Sequence, residues 1–264
     1  MAEFGAKDVK ALRDATGAGM MDAKRALEEN NGDMDAAGKW LREQGITKSA
    51  ARSDRDNSQG AVAVASEGNK AAFVELKSET DFTAKSAAFT ELVQKLADSV
   101  LADGDKGIEK HKDEVDDLRI TTKENIEVGK SARVEAADGD VLDTYLHRQD
   151  GRGVNAVIIE LADGTAELAH DIAVHAAFTK PRFVARDEVP ADAIAAEREA
   201  LEAITRNEGK PEAALPKIIE GKLAGWFRES VLLEQKFVRD EKQTIEQLLG
   251  DAKIVRFEQV IIGG

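Results

Sequence analysis

A chain of 264 residues, at roughly 150 per domain, is expected to form about two folded units. Hydrophobic residues make up 42% of it, which excludes wholesale disorder, and the absence of cysteine excludes disulfides, thiolate metal sites and cysteine nucleophiles. The net charge is −14 and the excess lies wholly beyond residue 55, so the body of the protein repels phosphate backbones and a protein is the expected partner rather than a nucleic acid.

The first fifty residues predict three short helices. Val9 and Leu12 mark an apolar stripe that Thr16-Gly17-Ala18-Gly19 interrupts. A second helix begins near Met20 and sets Met20, Lys24 and Leu27 along one side, with Met21 beside them; Asn30-Asn31-Gly32 ends it. Asp33 is the expected N-cap of a third helix, where Met34, Ala37 and Leu41 recur at helical spacing next to Trp40. Residues 47–60 carry no apolar period and read as a polar linker.

Beyond the linker, Ala61–Ala65, a Glu67-Gly68-Asn69 turn and Ala72–Leu76 predict a β-hairpin. Ser78-Glu79-Thr80-Asp81-Phe82-Thr83 then leads into a helix whose apolar positions Phe89, Leu92, Val93, Leu96, Ala97 and Val100 fit the 3.6 period. Strands are expected at Ala132–Ala136, at Val141–Leu146 after an Asp138-Gly139 turn, and at Val154–Leu161; a helix through Leu168, Ile172 and Ala176 follows. Hairpin-then-helix therefore occurs twice. Two echoes suggest duplication: Ala72-Phe73-Val74-Glu75-Leu76 against Val157-Ile158-Ile159-Glu160-Leu161, and Ala87-Ala88-Phe89-Thr90 against Ala176-Ala177-Phe178-Thr179. From Pro190, stripes through Ile194, Leu201 and Ile204 and through Ile219, Leu223 and Phe227 predict an antiparallel helical hairpin. Thr244–Leu249 reads as a short helix and Lys253–Ile262 as a closing strand. The expected fold is α+β: a three-helix unit over 1–46, a linker over 47–60, a first core subdomain over 61–139, and a second over 140–264 that carries the helical hairpin insert at about 190–228.

Catalytic chemistry finds no pattern to occupy. His111, His147, His170 and His175 include no i,i+4 pair and no His-Glu-x-x-His. Gly129-Lys130-Ser131 resembles the end of a phosphate loop, but Glu124 stands where the first glycine belongs. Asp113-Glu114-Val115-Asp116-Asp117 reads as a solvated charge run, and no Gly-x-Ser-x-Gly elbow occurs. No apolar run approaches the about 18 residues needed to span a membrane, and Met1–Asp8 has no apolar signal core, so a cytoplasmic protein is expected. Two features stand out. Met20 and Met21 point about 100° apart on their helix, so at least one is expected to be exposed. Phe82 reads two ways: as a staple on the helix that contains Phe89, with Asp81 at the positive helix end, or as a ring offered to a partner.

Thr16-Gly17-Ala18-Gly19-Met20-Met21-Asp22-Ala23-Lys24-Arg25-Ala26-Leu27 and Thr80-Asp81-Phe82-Thr83-Ala84-Lys85 together resemble the bacterial translation elongation factor Ts family, and the resemblance extends over essentially the whole chain. It implies a guanine-nucleotide exchange factor for elongation factor Tu. Asp81 and Phe82, with Thr80 and Thr83 around them, are expected to wedge between helices of the partner's nucleotide-binding domain. Met20 and Met21, with Leu12 and Lys24, are expected to meet the same domain, and His147 in Tyr145-Leu146-His147 a further one. The resemblance also implies no catalytic side chain, cofactor, metal, bound nucleotide, nucleic acid or membrane. Gly151-Arg152-Gly153 makes a loop slightly longer than the family pattern, and contacts of a C-terminal extra helix found in some members are expected to be missing after Ile261-Ile262-Gly263-Gly264. The alternative is a protein-binding module of ubiquitin-associated type, formed by the N-terminal three helices, on an acidic scaffold. A ribosome- or RNA-binding protein conflicts with the charge.

Overall fold

The computed structural model describes residues 4–50, 52–209 and 211–264, the side chains of 46–50 apart. Helices α1 (Ala6–Thr16), α2 (Met20–Glu29) and α3 (Met34–Ala50) form the N-terminal bundle. Asp33 caps α3 as expected, its Oδ1 accepting the Ala36 amide at 2.9 Å. The bundle's interior is built from Val9, Leu12, Ala23, Ala26, Leu27, Ala37 and Leu41. On α2 the buried face thus runs through alanines, whose small side chains let the helices approach closely, and the methionines stay outside.

The core follows: β1 (Gln59–Glu67), β2 (Lys70–Ser78), α4 (Asp81–Ala84), α5 (Ala87–Asp103), α6 (Lys106–Glu109), α7 (Lys112–Thr122) and β3 (Glu127–Glu135). Next come β4 (Val141–Gln149), β5 (Arg152–Ala162), α8 (Ala166–Thr179), α9 (Ala191–Asn207), α10 (Leu215–Ser230), β6 (Lys236–Phe237), β7 (Asp240–Thr244), α11 (Ile245–Leu249) and β8 (Lys253–Ile261). Two antiparallel three-stranded sheets result, ordered β1-β2-β3 and β4-β5-β8. The Asp138-Gly139 turn lies between β3 and β4 and carries the chain from one sheet to the other.

Strand periodicity assembles these elements into four layers. Ala72, Val74 and Leu76 face α5, whereas Ala71 and Phe73 face the opposite sheet. On β5, Val157, Ile159 and Leu161 meet α8, and Ala156 and Ile158 meet the first sheet. Both central strands are buried on two sides, which is why each reads as a nearly unbroken apolar run. The first echo falls on these two strands. It sets Glu75 and Glu160 in matching places between the sheets, where both are buried; Glu75 accepts the Lys130 amide at 2.9 Å and Glu160 the Ala137 amide at 3.0 Å. The second echo does not correspond: Phe89 is fully buried near the start of α5, whereas Phe178 sits at the end of α8 and is 77% exposed.

The N-terminal bundle meets the core at α7. A Cβ at Gly45 on α3 would lie 2.7 Å from Ile120 Cγ1, so the helices touch where only glycine fits, and Arg42 pairs with Asp113 at 3.0 Å and with Asp117 at 3.7 Å. The acidic run 113–117 therefore belongs to a helix that buries Val115 and Leu118. The stretch read as a polar linker is helical as far as Ala50; further on, the carbonyls of Ser53 and Arg55 accept the Asn125 side-chain amide at 3.1 and 2.8 Å. The α9–α10 hairpin has its own small core of Val189, Leu223, Phe227 and Val231, and is tied across by Lys222–Glu208 at 2.7 Å and by Arg198–Glu220.

One buried titratable group sits behind the second sheet. His175 Nδ1 accepts the Val238 amide at 3.3 Å, and Nε2 is 2.9 Å from Gln235 Oε1, an arrangement that suits the neutral ring. Burial pushes its pKa below the ordinary histidine value. As pH falls through about 6.5 the unfolded chain takes up this proton and the folded one does not, so stability is lost. Scanning calorimetry from pH 7.5 to 5.5 is expected to show a falling Tm, and the fall should be shallower in His175→Asn. Equal slopes would show that other groups govern it.

Candidate partner-binding surface

The turn between β2 and α5 holds the most exposed large apolar side chain among the described residues. Phe82 is 84% exposed, whereas Phe89 is fully buried, so the two rings do not form a staple. The duplication gives an independent check. With Glu75 aligned to Glu160, Thr80 corresponds to Thr165. Each caps a helix by accepting the amide three residues on, Thr83 N at 3.2 Å in the first copy and Leu168 N at 3.2 Å in the second. The next two positions are Asp81-Phe82 in one copy and Ala166-Glu167 in the other. The fold makes this turn without an aromatic ring, so Phe82 is not required by the architecture.

The polar side chains of the turn are engaged. Glu124 reaches it from just beyond α7: its Oε2 accepts the amides of Glu79 and Thr80 at 3.1 and 3.2 Å, and its Oε1 the hydroxyls of Thr80 and Thr83 at 2.7 and 2.6 Å. Asp81 pairs with Lys85 at 2.7 Å, and Lys85 with Asp150 at 3.3 Å. The Lys85 ammonium holds the Asp81 carboxyl below the usual aspartate range, and Asp81 raises the lysine in return. Such exposed pairs contribute little to stability. Their effect here is geometric, because Asp150 belongs to the β4–β5 turn, so the Phe82 turn is tied to the strand pair that carries His147.

That strand pair resolves the extra residue near Gly151-Arg152-Gly153. Asp150 and Gly151 form a two-residue turn with φ of 52° and 82°, as the twist of a tight hairpin demands. His147 then pairs with Asn155 and Arg148 with Gly153, so Val154 is the bulged residue. His147 is exposed and lines a groove of about 810 Å³ with Tyr145, Arg152, Asn155, Phe178 and Ile262. Arg152 is fixed there by a hydrogen bond to the Gly60 carbonyl, which joins this hairpin to β1.

The methionines lie apart from this cluster, on the N-terminal bundle. Met20 is 46% and Met21 73% exposed, and with Phe4, Val9, Lys10 and Lys24 they line a mainly apolar depression of about 460 Å³. Leu12 requires a correction: it is only 2% exposed and packs inside the bundle, so it supports this face from behind and offers nothing to a partner. Thr83 is buried as well, and its hydroxyl is committed to Glu124. Glu124, Lys85 and Asp150 were not singled out in the sequence. Gly129-Lys130-Ser131 lies inside β3, where a Cβ at Gly129 would fall 2.1 Å from Glu75 Oε2; the glycine makes room for a buried carboxylate, not a phosphate. Among the described residues, no helix is long and apolar enough to cross a membrane.

The family model described as Elongation factor TS matches residues 79–264. The elongation factor Ts of Acidothermus cellulolyticus is 42% identical over 277 aligned residues, covering 100% of this chain and 99% of that protein. That of Deinococcus deserti is 39% identical over 264 residues, covering 97% of this chain and 99% of the relative. That of Thermobifida fusca is 40% identical over 279 residues, covering 100% and 99%. The Phe82 turn and everything after it fall within the family match, and the relatives extend the likeness across the N-terminal bundle: the chain belongs to the elongation factor Ts family.

Proposed function

We propose that this chain is a cytoplasmic guanine-nucleotide exchange factor that binds elongation factor Tu and promotes release of its GDP. The observation that carries the reading is Phe82, a large ring held in water on a turn whose polar side chains are bonded. Moving such a ring into an apolar slot on a partner releases about 1.5–3 kcal/mol. In this reading Phe82 displaces the partner elements that hold magnesium and the β-phosphate, with Asp81 at the rim of the slot. The methionine face contacts the same partner domain and the groove at His147 a further one. The units bearing these surfaces are the bundle at 1–46, the connecting segment at 47–60 and the two core subdomains at 61–139 and 140–264.

Exchange of this kind needs no reacting side chain. Nucleotide and exchange factor share a partner, and each weakens the other's binding by one and the same coupling free energy. Every ~1.4 kcal/mol removed from the release barrier speeds dissociation about tenfold. The chain itself binds neither GDP nor GTP, nor nucleic acid. The test is release of a fluorescent GDP analogue from elongation factor Tu with this protein present and absent. Acceleration at catalytic amounts is expected, and an unchanged rate would defeat the proposal.

His147→Ala separates the second contact from the first. Loss of one hydrogen-bonding ring at an interface is expected to weaken the complex about two- to tenfold. The Tm should stay within a degree of the parent, because the side chain is exposed. Equal affinity by calorimetry would return His147 to an ordinary strand residue.

A further inference from the structure

We propose that Glu124 is the positioning residue that fixes the aim of Phe82. The proposal rests on the reading of Phe82 as the partner-contacting ring.

Glu124 is well placed for this. Lys123, in the left-handed conformation at φ 60°, ends α7 and turns the chain. Glu124 then uses both carboxylate oxygens on the turn, each accepting two hydrogen bonds, at 2.6–3.2 Å. Hydrogen bonds to an ionised acceptor are about twice as strong as neutral ones. The clasp is reciprocal, because Glu79 Oε1 accepts the Asn125 amide at 2.7 Å. The Asn125 side chain holds the carbonyls of Ser53 and Arg55, and Arg55 in turn reaches Glu79 at 3.5 Å. Two stretches far apart in the chain, 53–55 and 79–83, therefore meet at the dipeptide 124–125.

The second repeat provides the control. Thr165 makes the same cap on α8, yet among the described residues no carboxylate bonds its hydroxyl. The fold forms this turn without a clamp. The clamp is present in the copy that carries the exposed ring and absent from the copy that carries Glu167. Its purpose follows Phe82 rather than the architecture. An aromatic side chain held by its backbone in one direction loses less freedom when it enters a slot, and binding free energy is retained for displacement of partner elements.

The experiment compares Phe82→Ala, Glu124→Ala, Glu124→Gln, Thr83→Val and the Phe82→Ala/Glu124→Ala double variant of the full chain. Stimulated GDP release is followed as a function of exchange-factor concentration, and amide hydrogen exchange is read at Glu79 and Thr80. Glu124→Ala is expected to lose protection at those two amides, to leave protection in β2 and β5 unchanged, and to release GDP about tenfold more slowly at saturation. Glu124→Gln is expected to stay within about threefold of the parent, since its amide oxygen serves the two backbone donors and its NH2 can donate to the hydroxyls. Thr83→Val removes one bond and should fold in any case; its loss should be intermediate. In the Phe82→Ala background, Glu124→Ala should add no further loss. Full release by Glu124→Ala, or an equal further loss in the Phe82→Ala background, would overturn the positioning role. Release at the parent rate by Phe82→Ala would instead overturn the underlying reading of Phe82, and the amide protection would still decide whether Glu124 holds the turn.

Discussion

Phe82→Ala is expected to reduce stimulated GDP release roughly ten- to hundredfold while the protein melts as the parent does. The first half follows from the about 1.5–3 kcal/mol of burial that the ring forfeits, at ~1.4 kcal/mol per decade. The second half follows from its exposure of 84%, which leaves no core contact to lose. Asp81→Ala should be milder, because a carboxylate at the rim contributes less than a ring at the centre and Lys85 retains Asp150 as a partner. Melting each variant alone and then assaying release with elongation factor Tu separates the two halves. A Phe82→Ala protein that melts several degrees lower yet exchanges normally would place the ring in the fold after all.

Gly153→Ala is expected to give a large loss of stability from a very small change. Gly153 sits on β5 where that strand passes under β1, and an added Cβ would lie 2.2 Å from the Val62 carbonyl oxygen and 2.7 Å from Leu146 Cδ1. The first neighbour is backbone in the middle of a paired strand, so neither side can yield without separating the sheets. Overpacking of this kind costs about 1–3 kcal/mol. For a chain of this size that corresponds to a Tm lowered by roughly 3–10 °C. Gly221→Ala is the matched control, because nothing lies within 4 Å of the added carbon on α10. There alanine should raise stability by about 0.5–1 kcal/mol through helix propensity. If both alanines shift the melting curve alike in calorimetry, the close approach of the sheets at Gly153 is not what holds them together.

The elements legible in the sequence are those whose side chains repeat. Phe89 through Val100 announce α5, and the nearly unbroken apolar runs at Ala72–Leu76 and Val157–Leu161 announce the two central strands. Where charge dominates the local pattern, structure was hidden: α7 rests on Val115 and Leu118 inside an acidic run. Small residues misled in another way. The bundle's interior is carried largely by Ala23, Ala26 and Ala37, so Leu12, read as part of a partner-facing group, is needed inside. Of the candidate surface, Asp81, Phe82, Met20, Met21 and His147 came from motifs, and the structure places all five in exposed positions. Glu124 had no such signal. Its partners lie 41 to 45 residues away, and only the folded turn brings them within reach.

The order of strands also has a consequence for a chain made from its N-terminus. The first sheet needs nothing beyond Glu135, because β3 completes β1 and β2. The second cannot close so early. Its central strand β5 is finished at Ala162, but β8, which pairs Ala156 with Val260 and Ile159 with Phe257, starts only at Lys253. While the helical hairpin and α11 are still being synthesised, one edge of β5 has no strand beside it, and unpaired edges of apolar strands invite association. The finished first sheet already offers one face of the nascent β5 an apolar cover, formed by Val62, Ala71 and Phe73, and α8 follows on its other face well before β8 exists. On this order the earlier half of the molecule is expected to fold first and to serve as the surface on which the later half assembles.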